Sequence, residues 1–123
     1  MKPPESEQAA AYIGAVLVLY VDLPDTPMRY SPTDLALARK LHQEGVPLML
    51  VESAFLLASL RRLTRPNDSP PLPKIRSLAY FMPVVDELRL QPLPGGYLDY
   101  LRLKLSQVAN RPDDQKNTLL LDR

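Results

Sequence analysis

The chain contains no cysteine, no tryptophan, one histidine and four glycines in 123 residues. Without cysteine there are no disulfide scaffolds, thiol nucleophiles or Fe–S clusters, and with a lone histidine no ordinary zinc site. So few glycines leave no Gly-rich phosphate loop alongside the turns that a strand-rich fold would need. Charge of one sign is missing too. Fifteen basic against fourteen acidic residues leave a formal +1, so bulk charge announces no partner. The longest apolar run, AAAYIGAVLVLYV at 9–21, falls short of the roughly 20 residues a spanning helix requires. Its flanks, Glu5, Glu7 and Asp22, lack the basic lead and small-residue cleavage site of a secretory signal. The run reads as a buried helix, with an interior strand as the alternative, and the protein is expected to be cytoplasmic, without a membrane partner.

Proline is the residue in excess. Fourteen prolines fall at 3–4, 24–32, 47, 66–73, 83, 92–94 and 112. Each lacks a backbone donor and biases its predecessor away from helix. Between them lie five stretches of helical length, none with sustained strand alternation. The first covers about 5–23. In the second, Ser31 is placed as N-cap, Pro32 as N1 and Asp34 as N3, close to a capping box; Leu35, Ala38, Leu41 and His42 share a face, and Gly45 ends the helix. The third runs from Pro47 to about Leu63 and is apolar nearly all round, as suits the centre of a bundle. The fourth covers about 75–90, facing Leu78, Phe81, Met82 and Val85 inward, with Pro83 kinking or restarting it. Gly96 opens the fifth, striped by Leu98, Leu101, Leu105 and Val108. The pattern predicts an all-α fold: a single compact bundle of four to five helices over 1–111, joined by Pro-rich connections, with a loose polar tail at 112–123.

No catalytic constellation, cofactor motif or small-molecule site is visible. Asp86-Glu87 and Asp113-Asp114 are adjacent pairs that point to different helix faces, and His42 has no partner for metal or base chemistry. The chain is therefore not expected to be an enzyme, and neither a metal nor a cofactor is implied.

Charge is uneven along the chain. Residues 1–60 carry four basic and seven acidic residues, whereas 61–111 carry nine basic and four acidic. The densest basic cluster is Arg61, Arg62, Arg65, Lys74 and Arg76, with Arg102 and Lys104 in support. Arginines so placed form charge-assisted contacts to phosphates, of DNA or RNA; helix-end arginines also arise simply because they complement the dipole. The capped helix, G-V-P turn and following helix have the outline of a helix-turn-helix. However, Leu48 to Leu60 offers only Glu52, Ser53 and Ser59 as polar groups, so the second helix reads as buried scaffolding. Tyr80, Tyr97 and Tyr100 suit core edges, or stacking beside Arg76 or Arg102.

The segment VESAFLLASLRR, a polar connection and IRSLAYFMPVVDEL together resemble, over about 32–90, the helical domains of DnaD-like replication-initiation proteins. The departures are the absent Trp and the proline at 83. The segments DLPDTPMRYSPTD and LPKIRSLAYFMPV are also similar to a compact bacterial family of helical proteins to which no activity attaches. The first resemblance implies DNA binding or scaffolding in replication or in a mobile element. The competing expectation is an adaptor or subunit of a larger assembly, or a homodimer, that buries apolar surface of the first and fifth helices.

Overall fold

In the computed structural model, which describes residues 6–121 and side chains as far as residue 109, every regular element is helical. The helices are α1 (Glu7–Val21), α2 (Pro32–Gln43), α3 (Leu48–Leu63), α4 (Met82–Leu90) and α5 (Tyr97–Leu121). A single 3₁₀ turn, Leu78–Phe81, precedes α4. The bundle is built around α3, which packs against α1, α4, α5 and the 3₁₀ turn.

Its sequence explains that position. Val51, Ala54, Phe55, Leu56, Ala58 and Leu60 are buried, and they include residues on nearly every side of the helix. The small residues among them let neighbours approach. Phe55 meets Phe81 at 4.9 Å between ring centroids, and Phe81 in turn receives Tyr20 at 6.1 Å, near perpendicular. This aromatic chain joins α3, the 3₁₀ turn and α1 in one core.

Local chemistry sets the boundaries. Ser6 caps α1 by accepting from Ala9 N–H at 3.0 Å. At the other end, the Thr26 hydroxyl donates to the carbonyls of Tyr20, in the last turn of α1, and of Leu23 just beyond it. The capping box of α2 is complete: Ser31 Oγ accepts from Asp34 N–H, and the Asp34 carboxylate accepts from Ser31 N–H. Gly45 takes φ 72°, the left-handed residue after α2. Pro47 stands at the N-cap of α3 rather than inside it.

The fourth stretch is shorter than its periodicity predicts. Residues 75–77 are not helical; Ile75 is buried, and its N–H donates to the Asp25 carbonyl at 3.1 Å. Ser77 then caps the 3₁₀ turn, and Pro83 sits in the first turn of α4, where a missing N–H costs no hydrogen bond. Backbone of α5 continues as helix through the expected tail as far as Leu121; side chains of 112–123 lie outside the described residues. Among the described residues, no helix is long and apolar enough to cross a membrane.

Candidate nucleic-acid interface

The last turn of α3 carries Arg61 and Arg62, and Arg65 follows just past its C-cap, Thr64. Arg61, Arg62 and Arg65 line one cavity of about 280 Å³, together with Ala58, Leu72, Tyr80 and Val84. Ala58 of α3, Tyr80 of the 3₁₀ turn, Val84 of α4 and Leu72 of the Pro-rich connection wall it, and the three arginine side chains complete the lining.

The three arginines are not equivalent. Arg62 is a tether. Its side chain is 6% exposed, its Nε donates to Asp25 at 3.1 Å, one Nη donates to the Pro73 carbonyl, and the guanidinium lies 5.6 Å from the Tyr80 ring centroid. It thereby holds together α3, the turn after α1, the connection and the 3₁₀ turn. Asp25 serves that junction through its carboxylate and its carbonyl, in a left-handed backbone (φ 65°) that aspartate tolerates better than most residues.

Arg61 is half exposed and forms a bidentate pair with Glu87 of α4, at 2.8 and 2.7 Å. These hydrogen bonds raise the Arg61 pKa and hold the Glu87 carboxyl below its ordinary range. Arg65 has no carboxylate partner among the described residues; one Nη donates to the Pro70 carbonyl at 2.9 Å. Lys74 and Arg76 flank buried Ile75 on the connection, both exposed and neither in an ion pair among the described residues. Lys74 follows the proline whose carbonyl Arg62 holds, which sets it close to the cavity.

Arg102 belongs to a different place. It forks onto Glu52 of α3 at 2.8 Å through two nitrogens and reaches Asp99 at 3.2 Å, and the Glu52 hydrogen bond is the main cause of its raised pKa. Glu52 and Arg61 are nine residues apart, about half a revolution around α3 at 100° per residue. Arg102 therefore meets α3 on the side away from the three-arginine cavity. Lys104 is exposed on α5, also without an ion pair among the described residues.

Of the seven cations singled out from sequence, Arg61, Arg62 and Arg65 are thus gathered at one cavity, with Lys74 and Arg76 on the adjoining connection. Arg61, Arg62 and Arg102 are paired with carboxylates. Residues that the sequence did not single out for this site are Ala58, Leu72 and Val84, which wall it, and Asp25 and Glu87, which pair with its arginines. No local spacing signals them, since Asp25 and Glu87 lie 37 and 26 residues from their partners.

A second concavity, about 330 Å³, lies between the start of α3 and the turn before α5, lined mainly by Pro47, Met49, Leu50, Leu88, Leu93 and Leu98. It is apolar, and Met49 is 67% exposed at its wall. The half-buried His42 ring packs edge-on to Tyr12 at 5.1 Å, and among the described residues no three potential metal ligands come together. No protein-family model, curated protein or solved structure matches the chain.

Proposed function

We propose that this protein is a small helical nucleic-acid-associated module, an accessory in replication or in a mobile element working in the cytoplasm, that binds phosphates at the C-terminal end of α3. The observation that carries this reading is the convergence of Arg61, Arg62 and Arg65 on one cavity beside Lys74 and Arg76. The resemblance to DnaD-like helical domains points the same way. Ion pairing divides the work among the cations. Arg65, Lys74 and Arg76 supply the net charge for phosphates, whereas Arg62 builds the corner and Arg61 is held by Glu87.

The Glu87 side chain is exposed, so its substitution opens no cavity and offers a gain-of-binding test. Glu87→Gln frees Arg61 and should tighten binding to a labelled oligonucleotide severalfold while steepening its salt dependence by about one phosphate contact. The triple variant Arg65→Glu, Lys74→Glu, Arg76→Glu should abolish binding with an unchanged thermal midpoint. Wild-type affinity in both variants would dispose of the site. Absence of binding by the wild-type protein at low salt would instead favour a protein-adaptor reading, for which the apolar concavity beside Met49 is the relevant feature.

A further inference from the structure

We propose that the three-arginine cavity takes one unpaired nucleotide of a single strand, its base against Tyr80 and Leu72 and its flanking phosphate on Arg65, so that the corner prefers single strands to duplex. This rests on the nucleic-acid reading above and goes beyond it in naming the strand state. Shape is the first ground. The cations surround a concavity of about 280 Å³, near the lower limit of small-ligand pockets. Bases in a duplex are stacked inside it and cannot enter such a recess, whereas an unpaired base can.

Chemistry is the second ground. The walls are apolar, from Ala58, Leu72, Val84 and Tyr80, and both Leu72 and Tyr80 are 41% exposed. An aromatic and an aliphatic surface left open beside arginines match a base face and its phosphate together, the pairing used by sequence-tolerant single-strand binders. The third ground is donor capacity. A guanidinium has five N–H groups. Arg65 uses one, on the Pro70 carbonyl, so most of its donors remain for a phosphate; Arg61 uses two on Glu87, and Arg62 is enclosed. The helix-turn-helix outline offers no duplex-reading helix, because α3, its second helix, is buried from Val51 through Leu60 apart from half-buried Glu52 and Leu57.

The test compares the whole protein on labelled oligothymidine of about 15 nucleotides, within the usual span of single-strand sites, and on a duplex of the same length. Single strand should bind about tenfold more tightly. Tyr80→Ala should remove that preference, and Tyr80→Phe, which keeps the ring on Phe81 and under Arg62, should retain it. Arg65→Gln should weaken single-strand binding without a change in thermal midpoint. Equal affinity for the two nucleic acids, or a preference that survives Tyr80→Ala, overturns the proposal while leaving phosphate binding at the corner intact. No binding to either overturns the proposal together with the reading beneath it.

Discussion

Tyr20 is fully buried, and its hydroxyl has no protein hydrogen-bond partner. Burial pushes its pKa up to about 12, with the Asp34 carboxylate adding to the shift. A desolvated hydroxyl without a partner costs about 1–3 kcal/mol, and the ring's packing against Phe81 does not depend on it. Tyr20→Phe should therefore raise stability by about 1 kcal/mol, read as an increase of several degrees in the thermal midpoint; a lowered midpoint would show that the hydroxyl contributes to folding. Tyr12 differs in one respect. Its pKa is also raised to about 12 by burial, but its hydroxyl donates to the Val46 carbonyl at 2.7 Å. At the surface, the Arg61 hydrogen bonds depress the Glu87 pKa below the ordinary 4.5. A carboxylate so lowered favours the folded state above its unfolded pKa, and the contribution fades as pH falls through the lowered value. Carboxyl NMR should place the Glu87 midpoint under 4.5 and return it there in Arg61→Gln; an unmoved midpoint would mean the pair is not formed in solution.

Between elements, the decisive contacts are made by side chains that also have local duties. Asp34 closes the capping box of α2, and its second oxygen accepts from the buried Leu78 N–H at 2.9 Å, linking α2 to the 3₁₀ turn. Asp34→Ala loses the reciprocal half of the capping box and orphans the buried Leu78 N–H, for a combined cost of about 2–4 kcal/mol in denaturant unfolding. A loss under about 1 kcal/mol would show that the link to the 3₁₀ turn is weak. The capping role was legible in sequence because Ser31, Pro32 and Asp34 are neighbours. The second role was not, because Leu78 lies 44 residues away. The same distinction explains the rest. Gly45 and the near all-round apolarity of α3 are local patterns, and they located the α2–α3 turn and the central helix. Pro83 marked a restart for the same reason. Ile75 was expected in a helix from its spacing, yet its N–H is claimed by Asp25, 50 residues earlier, and Ser77 sets the true start.

For the whole molecule, the bundle turns a nearly neutral chain into one with a localised cationic corner. Helix α3 delivers its last arginines to a junction where the turn after α1, the Pro-rich connection and α4 all meet. The sequence pattern groups Arg61, Arg62, Arg65, Lys74 and Arg76 with Arg102 and Lys104 in support, but it does not tell paired cations from unpaired ones. Carboxylate partners on other elements, 26 to 50 residues distant, distinguish those that bind within the fold from those left for a ligand. That difference is measurable. Three available cations predict a single-strand salt slope of about −2, or about a 20-fold loss of affinity between 50 and 200 mM salt. Seven would predict a slope near −5 and a loss of about a thousandfold.

The most direct measurement is fluorescence anisotropy of a labelled single strand with the purified protein, titrated across that salt range. Binding that weakens by about 20-fold, with the slope steepening in Glu87→Gln, is the predicted result. Silence at low salt, or binding that is indifferent to salt, would contradict a phosphate site at the end of α3.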